Sequence, residues 1–367
     1  MKTLRRYLYR EILYSVAFAT LAFVALLFFF DMVDELRGVG AGGNYPLSSA
    51  LLYVLLRQPQ HVYELLPITV LIGTIFVMAR LAQNSEFTIL RTSGLGPGRA
   101  LGTVLLLGVG FAIVTFAVGD YVAPLSERAA QFVKVRQVGP LTLGATGAWL
   151  KEQQGGHSYA VNVRVLETGG VMRGVRIFEF DAAGQVLSTT HAQQGEIDAD
   201  GQGWRLTQVQ RNVFSDIDTD QARVQRVTEA EWHWPTQITS GMVSASLLNP
   251  DKMATLDLFR YVRHLEANGQ SAQRYEIELW RKVFYPLSCL VMVVLSLPFA
   301  YLHFRGGGIA GYVFGGVMAG ISFFLLNNVF GFAGNLQNWS PWLSAAAPGL
   351  IYSVLSLGAL GWLVFRH

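Results

Sequence analysis

Cysteine and charge are both scarce in this sequence. One cysteine, Cys289, is present in 367 residues, which excludes an intramolecular disulfide. Its apolar neighbours are typical of a cysteine that packs as a small hydrophobic side chain. Charged residues make up 14% of the chain and hydrophobic residues 51%, a composition too apolar for a large soluble protein. The net charge of +3 is modest and does not indicate nucleic-acid binding.

Catalytic and metal-binding motifs are absent as well. The glycines of residues 94–98 are not followed by Lys-Ser or Lys-Thr, so we expect that this chain does not itself hydrolyse ATP. No Gly-x-Ser-x-Gly elbow and no Ser-His-Asp grouping is present. His61 and Glu64 stand at i,i+3, but no second such pair accompanies them, which disfavours a metal site. We therefore expect a non-catalytic chain that binds no cofactor of its own.

Long hydrophobic runs dominate the sequence. A transmembrane helix needs about 20 apolar residues. Six runs approach that length: Ile12–Phe30, Leu65–Leu81, Ala100–Val118, Pro286–Leu302, Ile309–Phe332 and Trp342–Phe365. The second is preceded by a polar stretch, and we expect its helix to bend near Pro59 or Pro67. Ionisable residues are scarce within these runs, which disfavours ion-coupled transport.

The middle of the chain has a different pattern. Short alternating segments, separated by turn residues, follow one another between residues 138 and 248. The five predicted strands are Trp149–Lys151, Tyr159–Val165, Val175–Phe180, Gly203–Val209 and Arg223–Trp234. This pattern is typical of an all-β sandwich or β-jellyroll of about 110 residues. An amphipathic helix is predicted over Pro250–Gly269.

The predicted layout is therefore an α-helical membrane protein with three spans, an inserted all-β domain and three further spans. The domains are residues 1–137, the β domain at 138–248, and a linker helix with the last spans at 249–367. Basic residues cluster at the ends that lie inside if the N-terminus is inside: Lys2, Arg5, Arg6, Arg10, Arg80, Arg91, Arg99, Arg305 and Arg366. This bias predicts cytoplasmic termini and an external β domain.

Residues 81–99 form a short polar interruption between the second and third predicted spans. Ser85 is expected to cap a helix of one or two turns, which Gly94 ends. Phe87 and Leu90 then share one helical face at i,i+3 spacing. Such a helix at the cytoplasmic mouth suits the docking of a soluble partner, although the pattern fits a plain inter-helix turn equally well.

Four basic residues fall near the predicted outer mouth: Arg37, Arg57, Lys134 and Arg136. Clustered arginine and lysine side chains can hold the phosphates of a lipid headgroup through charge-assisted hydrogen bonds. The alternative is that these residues are solvated charges flanking the spans. Asp31 and Asp120 stand at span ends, where the pattern favours a solvated carboxylate over a proton relay.

Several segments resemble the LptF/LptG permeases of lipopolysaccharide export. The similar stretches are Leu81–Gly94, Gly119–Pro124, Leu248–Asp251 and the lead into the fourth span with Trp280, Lys282 and Pro286. That lead is more like the LptG than the LptF members. The resemblance covers essentially the whole chain and is weakest in the β domain.

The resemblance implies a heterodimeric ABC-transporter permease in the inner membrane of a Gram-negative bacterium. The implied partners are an LptF-like permease, two copies of an LptB-like cytoplasmic ATPase that carries ATP and magnesium, an LptC-like single-span protein and an LptA-like periplasmic bridge. The substrate would be lipopolysaccharide, extracted from the outer leaflet. The β domain would be a periplasmic β-jellyroll.

The resemblance also implies roles for individual residues. Residues 84–94 would contain the coupling helix, with Glu86 as its main charged contact and Phe87 and Leu90 as apolar anchors in the ATPase groove. The helix itself would run from Ser85 to Arg91, and both of these residues would belong to the coupling site. Family members have basic residues that meet lipid phosphates where this sequence has Arg37 and Lys134. Asp31 departs from that pattern, because relatives can carry a basic residue there.

Two other functions are compatible with parts of this sequence. A non-transporting mechanotransmitter could relay ATPase strokes to a periplasmic partner, but such proteins usually have four spans and no lipid cavity. An adhesin or scaffold with a passive anchor would leave the short helix around Ser85 without a role. Six predicted spans favour the transport function.

Overall fold

The computed structural model describes most of the chain. The described residues are 2–37, 39, 46–86, 89, 92, 96–138, 147–166, 170–198, 203–215, 223–239, 242–243, 250–300 and 309–366. They fall into two compact units. The first, the helical unit, contains the described residues up to 130 together with those from 276 onward. The second, the sheet unit, lies within residues 131–275.

Nine α-helices are found in the described ranges. They are α1 Lys2–Leu36, α2 Leu47–Gln83, α3 Pro97–Ala117, α4 Ala123–Val138, α5 Thr255–Ala267, α6 Gln273–Phe284, α7 Ser288–Ser296, α8 Ile309–Leu336 and α9 Pro341–Arg366. A π-helical turn, Val118–Val122, joins α3 to α4, and a 3₁₀ turn, Leu297–Ala300, follows α7. Another 3₁₀ turn, Pro250–Lys252, precedes α5.

Among the residues that the structure describes, five helical segments are long and apolar enough to cross a membrane: Arg5–Leu36, Leu47–Gln83, Gly98–Lys134, Ala310–Leu336 and Pro341–Trp362. The predicted fourth span differs from a single straight helix. There α6 and the segment Ser288–Ala300 are apolar and long enough only when taken together, and they meet at a bend of 47°. Pro286 explains the break, because it has no backbone N–H and disfavours helical geometry in the preceding residue.

The helix α2 is the centre of the helical unit. In its most apolar stretch 78% of the residues are buried, against 11% for α1. This helix is continuous through Pro59 and Pro67, and the bend expected near these residues stays a prediction. Small residues allow its neighbours to approach closely, and a Cβ added to Gly73 would lie 2.7 Å from the backbone nitrogen of Val16 in α1.

The sheet has six strands: β1 Ala148–Gln154, β2 His157–Leu166, β3 Met172–Phe180, β4 Val186–Ile197, β5 Gly203–Ser215 and β6 Arg223–Pro235. Each strand pairs antiparallel with the next, in the order β1-β2-β3-β4-β5-β6. Among the strands that the structure describes, this is an up-and-down meander and no crossover connection occurs. The sequence therefore predicted a region of β-strands correctly, while the sandwich or jellyroll connectivity stays a prediction.

The sequence prediction missed the strand β4. Its inward positions include Ser188, Thr190 and Ala192, each at most 3% exposed. Small polar side chains therefore occupy the buried face, and the strand lacks the apolar alternation by which half-buried strands are recognised. The core beside β4 contains Trp204, which is fully buried. The indole N–H of Trp204 donates to the carbonyl of Ile238 at 2.8 Å.

The carboxylate of Glu179 on β3 links four strands. It accepts hydrogen bonds from Ser188 Oγ on β4 at 2.6 Å and from Tyr159 Oη on β2 at 3.3 Å. His157 Nδ1 lies 3.0 Å away, and Arg211 of β5 donates at 3.3 Å. Burial by itself raises the pKa of Glu179, but the hydrogen bonds and the charge of Arg211 outweigh it and the net shift is downward.

Candidate functional site

The carboxylate of Glu86 is held between the first helix and the end of the second. Tyr7 Oη of α1 donates to Glu86 Oε2 at 3.2 Å, and Asn84 Nδ2 donates to Oε1 at 3.2 Å. These bonds orient a side chain that stands on the connection between α2 and α3. Of the predicted coupling residues, Phe87, Leu90 and Arg91 lie outside the described residues.

The backbone around Ser85 ends one helix and begins another. Its φ is 59°, in the left-handed region, whereas an N-cap residue is normally extended. Asn84 is the C-cap of α2, so Ser85 occupies the next position, where helices commonly adopt this conformation. The carbonyl of Ser85 accepts from the N–H of Ile89 at 3.2 Å, a helical bond. One helical hydrogen bond thus joins residues 85 and 89, but Ser85 does not have the conformation of an N-cap.

Ile89 is a residue that the sequence analysis did not single out. Its side chain is 61% exposed on the same short turn as Glu86, three positions later. Ile89 and the oriented carboxylate of Glu86 therefore offer an apolar and an acidic group on the same short turn. The i,i+3 spacing from Glu86 is the sequence signal that identifies it.

The same end of the helical unit ties α1 to both following helices. Arg80 of α2 donates to Glu11 of α1. Tyr9 of α1 donates through Oη to the carbonyl of Thr103 in α3 at 2.8 Å. With the Tyr7–Glu86 bond, these contacts connect the start of the first predicted span to the short helical turn. The connection that carries Glu86 is therefore hydrogen-bonded to α1, which is itself bonded to α2 and α3.

The opposite end of α1 and α2 contains two of the predicted headgroup residues. Arg57 lies 3.7 Å from Asp31 Oδ1, and His61 Nε2 lies 2.7 Å from Asp31 Oδ2. All three side chains are at most one-third exposed, so water screens the Arg57–Asp31 pair only in part. The carboxylate of Asp31 therefore partly neutralises the charge of Arg57. Arg37 instead faces solvent, 79% exposed, with Asp34 at 3.7 Å. Such an exposed pair contributes little free energy, which leaves the guanidinium of Arg37 accessible.

The other two predicted headgroup residues follow the third predicted span, in the last turns of α4. Lys134 is partly buried. The side chain of Arg136 lies outside the described part of the structure. His61 and Glu64 do not converge, because Gln60 Nε2 donates to Glu64 Oε1 at 2.7 Å while His61 faces Asp31. In the described ranges no group of three His, Cys, Asp or Glu side chains could hold a metal ion.

Two sequence segments that carried the resemblance meet in the helical unit. Lys282 of α6 is 6% exposed, and its Nζ donates to the carbonyl of Gly119 in the π-helical turn at 3.0 Å. The same ammonium lies 5.7 Å from the centre of the Tyr63 ring in α2. We call Tyr63, Gly119 and Lys282 the junction. Next to it Arg281 donates to Glu278 at 2.6 Å and to Asn328 at 3.2 Å.

These observations define a class: a multi-helix membrane protein with an inserted antiparallel sheet and an oriented acidic turn between its second and third helices. The comparison with known families is consistent with that class. The chain belongs to the family described as "Lipopolysaccharide export system permease LptF/LptG", whose sequence model matches residues 6–363.

Individual relatives agree with this assignment. LptG of Escherichia coli (strain K12) is 27% identical over 365 residues, covering 99% of this chain and 98% of the relative. LptG of Haemophilus influenzae is 24% identical over 368 residues, 100% of this chain and 99% of the relative. LptF of Escherichia coli (strain K12) is 28% identical over 123 residues, about a third of each chain. The resemblance to this family, and to its LptG members in particular, is confirmed.

Proposed function

We propose that this chain is the LptG-like permease subunit of an ABC transporter. It pairs with an LptF-like permease, extracts lipopolysaccharide from the outer leaflet of the inner membrane and passes it towards the outer membrane. ATP and magnesium are bound by two copies of an LptB-like ATPase, and an LptC-like protein and an LptA-like bridge receive the lipid. The family match across residues 6–363 supports this role.

The proposed topology has six spans, with the bent pair of α6 and α7 counted as one. Both termini are cytoplasmic and residues 138–248 form the periplasmic β-jellyroll domain, of which the six-stranded meander is the core. Residues 1–137 and 249–367 supply three spans each. The distribution of basic residues in the short loops supports this orientation.

The observation that carries the proposal is the anchoring of Glu86. A carboxylate oriented by Tyr7 and Asn84, beside the exposed Ile89, suits a groove of an ATPase that offers a basic and an apolar contact. Closure of the ATPase then moves the turn, and the bonds to α1 move the first span with it. Because α1 is mostly unburied and apolar, it is suited to contact acyl chains, which bind by area without directional demands.

Recognition of the lipid headgroup is proposed for Arg37, Arg57, Lys134 and Arg136. Arg37 is accessible, and a phosphate can displace its exposed aspartate partner at small cost. Arg57 has to exchange Asp31 for the phosphate, so its pairing with Asp31 lowers its affinity for phosphate. Asp31→Asn is expected to increase the affinity for phosphorylated lipid, measured by retention of lipopolysaccharide on the purified complex.

The decisive experiment measures lipopolysaccharide release from proteoliposomes that contain this chain, its partner permease and the ATPase. Glu86→Lys should abolish release and loosen ATPase binding, because it reverses the charge of the proposed contact. Tyr7→Phe should retain ATPase binding but reduce release, because it removes only the bond between Glu86 and α1. Glu229→Lys, on an exposed position of β6, is the charge-matched control. Undiminished release with Glu86→Lys would refute the assigned role of Glu86.

A further inference from the structure

The sheet unit contains a cleft to which the proposed function assigns no role. It has a volume of about 1010 Å³ and lies between α5, the end of β1 and the segment that follows β6. Its polar lining includes Arg260, Arg263, Gln153, Gln237 and Thr239. A volume of this size accommodates a ligand much larger than a single inorganic ion.

The walls of the cleft are joined by buried hydrogen bonds. Asn268, which follows α5 and is 6% exposed, accepts through Oδ1 from the backbone N–H of Gln153 at 2.7 Å. Its Nδ2 donates to the carbonyl of His264 at 2.8 Å. These bonds attach the end of α5 to β1, so the cleft is pre-formed and its arginines project from a fixed helix.

The accessible charge of the cleft is positive. Among the described residues of the lining Glu152 is the one acidic residue, and it is only 3% exposed. Its carboxylate already accepts hydrogen bonds from Thr236 Oγ1 and from the backbone N–H of Gln237. Arg260 and Arg263, by contrast, are exposed, and among the described residues no carboxylate is ion-paired with either. The two arginines stand at i,i+3 and therefore face the same side of α5.

The positive charge suits an anionic group, and the uncharged side chains of the lining indicate which other groups the same ligand has. The guanidinium of Arg263 lies 5.3 Å from the ring centre of Phe259, which is 46% exposed. Gln153, Gln237 and Thr239 are exposed and offer amide and hydroxyl groups. Guanidinium groups bind phosphates bidentately, amides and hydroxyls exchange hydrogen bonds with sugar hydroxyls, and an aromatic ring packs on the apolar face of a sugar.

We propose that this cleft binds a phosphorylated saccharide, with Arg260 and Arg263 on the phosphate and the side chains of Gln153, Gln237 and Thr239 on the hydroxyls. The chemistry of the site is independent of transport. The natural ligand would be the headgroup of an exported glycolipid, an identification that rests on the proposed function. The cleft would then be a second contact for the headgroup after it leaves the membrane.

The test is a binding titration on the full chain, purified in detergent with its partner permease. The probes are deacylated lipopolysaccharide, the same oligosaccharide after dephosphorylation, and inorganic phosphate. We expect the phosphorylated oligosaccharide to bind more tightly than the other two. The double variant Arg260→Gln/Arg263→Gln should weaken its binding on the order of tenfold or more. The control double variant Arg176→Gln/Arg223→Gln removes two exposed sheet arginines that do not line the cleft, and should bind like the wild type.

Several outcomes would overturn the proposal. Wild-type affinity in the double variant would exclude the two arginines, and equal affinity for the dephosphorylated oligosaccharide would exclude phosphate recognition. Inorganic phosphate binding as tightly as the oligosaccharide would identify a simple anion site. Unfolding temperatures of both double variants verify that they fold. If the wild type binds, the Arg260→Gln/Arg263→Gln variant does not, and proteoliposomes release no lipopolysaccharide, the cleft proposal stands and the export proposal fails. If release occurs without binding here, the reverse holds.

Discussion

Gly119→Ala should destabilise the helical unit through the junction. A Cβ added at Gly119 would lie 2.3 Å from Cδ2 and Cε2 of the Tyr63 ring, far inside van der Waals contact. The ring cannot retreat freely, because Tyr285 packs against it with the ring centres 5.2 Å apart. Either the ring or the π-helical turn has to move, and a movement of the turn takes the carbonyl of Gly119 away from the ammonium of Lys282.

The expected size of this effect can be worked out from its parts. Overpacking of a tight site costs about 1–3 kcal/mol. Weakening a hydrogen bond to a charged group adds about 1.5–3 kcal/mol when it is fully lost. The better helix propensity of alanine returns only about 0.5–1 kcal/mol. The net destabilisation is therefore roughly 1.5–5.5 kcal/mol if the hydrogen bond is fully lost.

The assay is thermal unfolding of the purified permease pair in detergent, followed by intrinsic tryptophan fluorescence. Gly110→Ala is the matched control, because a Cβ at this α3 position meets no atom within 4 Å. We expect Gly119→Ala to unfold well below the control, and the second substitution Tyr63→Leu to recover part of the loss. Equal unfolding temperatures of Gly119→Ala and Gly110→Ala would refute the reasoning.

Three further substitutions test other parts of the structure. Ser85→Gly should stabilise by about 1 kcal/mol, because φ is positive there, and Ser85→Val should destabilise; thermal unfolding with the opposite order would contradict this. Glu179→Gln should lower the free energy of unfolding above pH 4.3, roughly the unfolded pKa of glutamate. The difference from wild type, measured by urea unfolding, should disappear as the pH falls through the lowered folded pKa. Gly73→Ala should separate α1 from α2 and slow lipid release, whereas Gly102→Ala, with open space at its Cβ, should not.

Local sequence patterns determined much of the architecture. Apolar runs of span length identified the long helices, because each helix that crosses a bilayer must by itself be long and apolar enough to do so. Alternating apolar residues and turn residues located the sheet, because a half-buried strand has a period of two residues. The pattern around Ser85 and Glu86 predicted a helical turn, and the family relationship was recognisable from the segments near Gly119 and Lys282.

Only the tertiary structure decided which of these residues act together. Lys282 donates to a carbonyl 163 positions away, and no local pattern encodes a contact at that separation. Asp31 and Arg57 are separate charges in the sequence, but the packing of α1 on α2 makes them a pair. The strand β4 was missed because Ser188 and Thr190 are buried only through the neighbouring strands. The cleft beside Arg260 depends on α5 and β1 being joined by Asn268. In each case the deciding interaction is between segments distant in the chain, so it exists only after folding.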